Sequence, residues 1–228
     1  MHAYQARIGE LRLDPAGQVQ ARLDCPPAAL PAPGQYLLAY DPQDASAALA
    51  TPLFAAELLA DGFWAAAPLP PAWQPGLVLA LRGPLGKGFA LPGDVRRLAL
   101  AALGGSAARL LPLAQQALRQ DLSVALFTAA ALPRLPSSIE INPLGMLPEA
   151  LAWADFLAVD LSVEQVESLA GVLGLQGGLP PACPGQALVS AAMPCGGSGG
   201  CGACAIPVRR GWKLACQDGP VFDLRAWW

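Results

Sequence analysis

Histidine is almost absent from this chain, since His2 is the only one among its 228 residues. Histidine is the side chain whose ordinary pKa lies nearest to neutral pH, and it is the most frequent general acid or base in enzymes. One histidine beside a terminus that is free to fray does not supply such a group. We therefore expect no histidine-based acid–base catalysis within the chain.

Charge and long apolar runs are also scarce. Charged residues make up 14% of the chain, whose net charge is −3, whereas a typical domain has about a quarter. The arginines are scattered, and no stretch of about 18 apolar residues occurs. The N-terminus lacks the charged and apolar regions of a signal peptide. These absences predict a cytoplasmic protein with reduced thiols, no bound nucleic acid and no membrane-spanning helix.

Cysteine is concentrated near the C-terminus, where four of the six occur with the spacing Cys-x5-Cys-x2-Cys-x11-Cys: Cys195, Cys201, Cys204 and Cys216. The glycine-rich residues 196–203 can wrap closely around a compact group and direct backbone N–H groups at sulfur. Residues 205–215 have the pattern of a hairpin with a three-residue turn, Arg209-Arg210-Gly211, which would place Cys204 opposite Cys216. We expect the four thiolates to converge.

Three kinds of site use clustered cysteines. The plant-type [2Fe–2S] pattern is Cys-x4-Cys-x2-Cys with a distant fourth cysteine, and the first gap here is one residue longer. A zinc ribbon has two Cys-x2-Cys pairs, whereas this chain has one, and a disulfide framework suits small secreted domains. The spacing favours a [2Fe–2S] cluster over zinc or disulfides. Cys25 and Cys183 stand alone and are predicted to be inert buried thiols.

The residues from Cys195 to Cys204, followed by Gly-Trp-Lys-Leu-Ala-Cys-Gln-Asp-Gly-Pro-Val-Phe at 211–222, resemble the C-terminus of the dihydroorotate dehydrogenase electron-transfer subunit. The resemblance implies a ferredoxin-reductase-like fold and a relay of single electrons in pyrimidine biosynthesis. It also implies a partner, an FMN-containing dihydroorotate dehydrogenase catalytic subunit, which would perform the substrate chemistry. The alternative is a structural or regulatory subunit of the same fold that binds zinc or no metal.

Residues 1–92 are predicted to form an antiparallel β-barrel, because β-type runs alternate with Pro-Gly turns about every ten residues. Pro33-Gly34-Gln35-Tyr36 and residues 83–89 are similar to landmarks of the family's flavin-binding barrel. The resemblance places a flavin at Pro52, Leu53 and Phe54. However, Thr51 replaces the family's arginine, Phe54 replaces its serine, and prolines at 68–73 replace a phosphate loop. Without these groups a pyrophosphate lacks partners, so we expect weak FAD binding or none.

Residues 93–190 alternate strand and helix patterns, which predicts a Rossmann-like parallel α/β domain with helices on both faces. Helices are predicted at 107–119, 147–153 and 163–173, the last opened by a capping box at Ser162 and Gln165. Gly104-Gly105 lies at a strand-to-helix turn where a phosphate could bind. It lacks the Gly-x-Gly-x-x-Gly pattern, so no NAD site is expected. Residues 191–228 form the predicted cluster segment.

The surface near the cysteines is predicted to be basic, because Arg209, Arg210 and Lys213 lie on the hairpin. Such a patch in a weakly acidic protein suits an acidic one-electron carrier, such as a ferredoxin. Without flavin, the chain has no two-electron carrier able to divide a hydride into single electrons. The C-terminal Trp227-Trp228 pair is expected to be docked against the protein or a partner, since two exposed tryptophans are costly in water.

Overall fold

The computed structural model describes residues 3–44, 49–175 and 179–228, so that His2 lies outside the described residues. Its first six strands form a closed antiparallel barrel in the order β1-β2-β5-β4-β3-β6. Large apolar side chains fill the barrel, among them Ile8, Leu23 and Leu53. The predicted N-terminal barrel is confirmed. Its strands are β1 (Ala3–Leu13), β2 (Val19–Asp24), β3 (Tyr36–Tyr40), β4 (Thr51–Leu59), β5 (Gly62–Ala65) and β6 (Val78–Leu85).

A second sheet has the strand order β14-β11-β10-β7-β8-β9, and the β12–β13 pair forms a separate hairpin. Strands β7 to β11 run parallel, and the central strands β7, β8 and β10 are largely buried apolar runs, as expected where both faces are covered. The predicted parallel α/β sheet is confirmed. These strands are β7 (Arg97–Ala102), β8 (Ser123–Thr128), β9 (Ile139–Asn142), β10 (Phe156–Ser162), β11 (Gly185–Ser190), β12 (Ala205–Val208), β13 (Gly211–Leu214) and β14 (Val221–Asp223).

The helices are shorter than predicted. The sequence 107–119 forms a 3-10 turn followed by α1, but α2 ends at Ala150 and residues 163–168 are a 3-10 helix that precedes α3. The capping box is present, and Gln165 Nε2 also donates to the Leu103 carbonyl at 2.8 Å, which ties this turn to the end of β7. The α-helices are α1 (Leu111–Arg119), α2 (Leu147–Ala150), α3 (Leu169–Val172) and α4 (Ala215–Asp218), and the 3-10 helices are Pro27–Ala29, Ala108–Leu110, Leu144–Met146, Val163–Ser168 and Leu224–Trp227.

The C-terminal segment lies between the barrel and the second sheet. Strand β14 pairs antiparallel with β11, so the segment adds a strand to that sheet. On the barrel side, Lys87 N donates to the Gly219 carbonyl at 2.7 Å. A Cβ at Gly34, whose φ is +86°, would lie 2.6 Å from Val221 Cγ2, so only glycine fits this approach. The cysteine-bearing segment is thus held by both larger units.

The two C-terminal tryptophans are docked, as expected. Trp227 Nε1 donates to the Pro207 carbonyl at 2.9 Å, and its ring meets the edge of Phe222 with centroids 6.2 Å apart. Arg209 N also donates to the Ala226 carbonyl at 2.9 Å. The C-terminal tail therefore packs against β12 and the start of the hairpin turn. Among the helices in the described ranges, none has both the length and the apolar character needed to cross a bilayer.

Candidate functional site

The hairpin brings two cysteine sulfurs together, although its register differs from the prediction. Its turn contains two residues, Arg209 and Arg210, because Val208 pairs with Gly211, whose φ is +86°. Cys204 therefore faces Ala215 and not Cys216. Cys216 follows on α4, and this turn of helix directs its Sγ to within 3.3 Å of the Cys204 Sγ. The prediction was wrong by one residue in register, yet the two sulfurs are adjacent.

The other two cysteines lie on the glycine-rich loop. The Cys201 thiol is within hydrogen-bonding reach of the Cys195 sulfur. Hydrogen bonds from the Ser198 hydroxyl, from Cys201 and from the backbone N–H groups of Gly199 and Cys201 lower the pKa of Cys195 to about 5. The thiolate is the form that binds metals. The loop needs glycine because its backbone adopts positive φ at four positions: Gly196, Gly197, Gly199 and Gly202.

The two cysteine pairs differ in exposure. Cys204 and Cys216 are buried, whereas Cys195 is half-buried and Cys201 is exposed. Burial, followed by the adjacent Cys204 sulfur, raises the pKa of Cys216 to about 12. Within the described ranges, no three histidine, cysteine or carboxylate side chains are grouped so as to hold one metal ion. The site consists of an inner pair, Cys204 and Cys216, and an outer pair, Cys195 and Cys201.

Two barrel residues that the sequence did not identify as part of the site support the cysteine loop. Arg82 Nη2 donates to the Gly196 carbonyl at 2.8 Å. The Tyr36 hydroxyl lies 3.2 Å from where a Cβ of Gly197 would be. Burial, followed by the nearby Cys216 and Cys204, raises the pKa of Tyr36 to about 12, and Arg82 opposes the shift. Tyr36 belonged to a predicted landmark, whereas no sequence signal pointed to Arg82.

The lone cysteines lie elsewhere in the packing. Cys25 is buried in the barrel core, and the Cys183 thiol donates to the Pro184 carbonyl at 3.3 Å. Burial is the main cause that raises the pKa of each thiol to about 11. Both are therefore neutral near pH 7, which matches the predicted character of inert buried thiols.

The residues predicted to contact flavin, 52–54, do not line the same cavity as the predicted phosphate turn, Gly104-Gly105. A cavity of about 230 Å³ lies between the barrel and the second sheet, and Gly104 and Gly105 are in its lining. Leu53 is fully buried in the barrel core, and Phe54 is buried against Tyr36, with ring centroids 5.9 Å apart. Pro52 is half-buried. The cavity lining includes Ala66, Ala67 and Pro68 but none of residues 52–54.

An internal ion pair occupies this crevice. Arg109 is the only cation among the described residues that line the cavity. Its Nε lies 3.0 Å from both carboxylate oxygens of Asp160, which is 1% exposed. Burial raises the pKa of Asp160, and Arg109 opposes the shift. Because this guanidinium is already paired, the described lining does not reproduce the cationic pyrophosphate site that the family's arginine provides.

The barrel and the parallel sheet form a ferredoxin-reductase-like fold, to which the cysteine segment is added. Solved structures share the fold. A NADH-dependent reduced ferredoxin-NADP oxidoreductase is 17% identical with a TM-score of 0.69, covering 97% of this chain and 90% of that one. The ferredoxin reductase in carbazole 1,9a-dioxygenase is 19% identical with a TM-score of 0.61, covering 77% and 67%. A ferredoxin NADP+ reductase from Neisseria gonorrhoeae, with bound FAD and NADP, is 16% identical with a TM-score of 0.51, covering 76% and 91%.

Residues 191–226 match the family model of the iron–sulfur cluster binding domain of dihydroorotate dehydrogenase B. This match contains all four clustered cysteines. No curated protein matches the chain. The resemblance seen in the sequence is confirmed in these terms: a dihydroorotate dehydrogenase B iron–sulfur segment on a ferredoxin-reductase-like fold. Together the segment and the fold support an electron-transfer subunit.

Proposed function

We propose that this chain relays single electrons through a [2Fe–2S] cluster held by Cys195, Cys201, Cys204 and Cys216, in complex with an FMN-containing dihydroorotate dehydrogenase catalytic subunit. The observation that carries the proposal is that the four cysteines lie as two close pairs inside the segment that matches the family model. The pathway would then be pyrimidine biosynthesis, as the family's name implies.

Two pairs of sulfurs suit a two-iron cluster, because each iron of such a cluster binds two cysteine thiolates. In this assignment the inner pair binds one iron and the outer pair the other. The 3.3 Å between Cys204 Sγ and Cys216 Sγ is about 0.5 Å shorter than the separation of two thiolates that share one tetrahedral metal at about 2.3 Å each, so a small outward shift of the sulfurs would admit one iron. The N–H groups of the glycine loop, which already lower the Cys195 pKa, would stabilise the thiolates.

A bound cluster would accept and release one electron at a time. The exposure of Cys201 supports exchange at the surface, because one edge of the group would lie next to solvent or a partner. The adjoining hairpin carries exposed Arg209 and Arg210 and a tryptophan, Trp212, that is 70% exposed. Arginine and tryptophan are enriched among interface residues that dominate binding energy. Sequence reasoning missed Trp212, which lies on the exposed strand β13 of the hairpin.

The experiment that tests this function uses the complex with its catalytic subunit. Dihydroorotate is added anaerobically, and the electron paramagnetic resonance of the cluster is followed. We expect a cluster signal to develop, since substrate oxidation delivers two electrons to the FMN and these leave singly through this chain. The Cys216→Ser complex is the control and should bleach the FMN without a cluster signal. Full FMN reduction with an unchanged wild-type cluster would overturn the proposed relay.

A further inference from the structure

Arg82 is a half-buried cation without a salt-bridge partner among the described residues. It lies on β6, and its Nη2 reaches across 114 residues of sequence to the Gly196 carbonyl at 2.8 Å. Its Nε is buried and has no hydrogen-bond partner. No carboxylate in residues 3–44, 49–175 or 179–228 forms a salt bridge with it. A buried N–H without a partner and a half-buried charge without a counter-ion are both costly, so an anionic group beside this guanidinium would stabilise it.

The anionic neighbour that the geometry offers is the cysteine group. The Arg82 Nη2 lies 4.0 Å from where a Cβ of Gly197 would be, between Cys195 and Cys201 in the loop. At the buried hydroxyl of Tyr36, the charge of Arg82 is felt together with those of Cys216, Cys204 and Cys195, and with opposite sign. Arg82 and three of the four cysteines, Cys195, Cys204 and Cys216, therefore lie around the same tyrosine hydroxyl.

The positive charge of Arg82 would affect the oxidised and reduced forms of a bound cluster differently. Two ferric ions, two sulfides and four thiolates carry a net charge of about −2, and the uptake of one electron makes it about −3. A fixed cation stabilises the more negative state more strongly, because the attraction grows with the charge of its partner. Burial makes the effect larger than at a surface and less sensitive to salt. Arg82 should thus favour the reduced cluster.

We propose that Arg82 is the counter-ion of the cluster: it holds the cysteine loop through the Gly196 carbonyl and raises the reduction potential. This inference rests on the proposed function. It assigns a positioning and tuning role to a barrel residue, whereas all four cysteines lie in the C-terminal segment. The barrel then does more than support the fold, since it supplies the positive charge at the redox site.

The test compares Arg82→Gln and Arg82→Lys with the wild-type chain by redox titration, monitored by electron paramagnetic resonance. The neutral variant should shift the equilibrium toward the oxidised cluster about tenfold, which lowers the potential by about 59 mV for a one-electron couple. The lysine variant keeps the charge and should stay within about twofold of wild type. Arg7→Gln removes an exposed charge from β1 of the same barrel and should leave the potential unchanged.

The outcomes separate this inference from the proposed function. A wild-type chain that binds no iron refutes the proposed function itself. A wild-type cluster whose potential is the same in Arg82→Gln overturns only the role of Arg82. If Arg82→Gln fails to retain iron, the Arg82→Lys variant decides. A wild-type potential and iron content in that variant support the counter-ion, and a potential lowered by about 59 mV despite the retained charge contradicts it.

Discussion

The cysteine segment and the crevice between barrel and sheet are both expected redox sites of a ferredoxin-reductase-like protein, yet their chemistry differs. In the cysteine segment, four sulfurs lie as two close pairs, and the half-buried cation beside the loop, Arg82, has no salt-bridge partner among the described residues. In the crevice, the cation Arg109 is already paired with a buried carboxylate. Arg82 can therefore still pair with a bound anionic group, whereas the charge of Arg109 is already neutralised by Asp160.

The largest effect is expected from removing one cysteine of the site and, as a comparison, one cysteine outside it. Cys216→Ser should lose the cluster, because the inner pair would keep only one sulfur. Cys183→Ser, the matched control, changes another buried thiol and should retain it. Iron and sulfide content measure both variants. A Cys216→Ser chain with a normal cluster, together with a Cys183→Ser chain without one, would show that the ligands have been misassigned.

The second prediction concerns the crevice ion pair. Arg109→Leu should destabilise the fold by about 3 kcal/mol at pH 7, because it leaves the buried Asp160 carboxylate uncompensated. Urea unfolding measures the change. Burial already raises the pKa of Asp160, and loss of Arg109 should raise it further.

The pH dependence of that variant follows from the raised pKa. A carboxyl group with a raised folded-state pKa favours folding at pH values below its unfolded pKa and loses this contribution as pH rises through the folded value. The deficit of Arg109→Leu should therefore shrink as the pH is lowered from 7 toward about 4. Arg97→Leu, which removes the exposed pair with Asp155, is the control and should cost much less. An equal loss of unfolding free energy in the two variants would contradict the interpretation that Arg109 neutralises a buried carboxylate.

The sequence predicted the cysteine site better than the crevice for a physical reason. Cys195 to Cys216 are close along the chain, so a glycine loop and a hairpin nearly determine their meeting. Even there, the predicted register of the hairpin was wrong by one residue. Gly211 can follow a two-residue turn, Arg209-Arg210, as well as end a three-residue turn, and the sequence does not distinguish the two. Local pattern also predicted the capping box at Ser162, but not the 3-10 geometry that follows it.

The features that the sequence could not predict depend on distant contacts. Arg82 and Gly196 are 114 residues apart, and Arg109 and Asp160 are 51 apart. Neither arginine belongs to a motif, so only the fold identifies its partner. Strand β14 was missed because it is three residues long and its pairing with β11 is antiparallel in an otherwise parallel sheet. The barrel and the parallel sheet, whose strands repeat regular patterns, were predicted correctly.

The third prediction concerns the amount of flavin bound in the crevice. Anaerobically purified protein should contain FAD well below one molecule per chain, because Thr51 replaces the expected arginine and Asp160 neutralises Arg109. Flavin released by acid and quantified by fluorescence gives the occupancy, and isothermal titration of the purified chain with FAD gives the affinity. One tightly bound FAD per chain would show that backbone groups of the barrel replace the missing side chains.

The smallest expected effect concerns the hairpin surface. Charge reversal at both Arg209 and Arg210 should slow cluster reduction by a reduced acidic ferredoxin several-fold at low salt, and the difference should fade as salt rises. Stopped-flow at two ionic strengths measures it. Arg119→Glu, at the exposed end of α1, is the control. An unchanged rate in the double variant, or rapid reduction of this chain by NADH alone, would contradict the carrier route.

The most direct test of the central claim is a count of iron, sulfide and electrons in the anaerobically purified chain. The four-cysteine assignment predicts about two irons and two sulfides per chain, and one unpaired spin per chain after the uptake of one electron. Colourless protein with about one zinc per chain and no spin after reduction would contradict it and would leave a structural or regulatory subunit on the same fold.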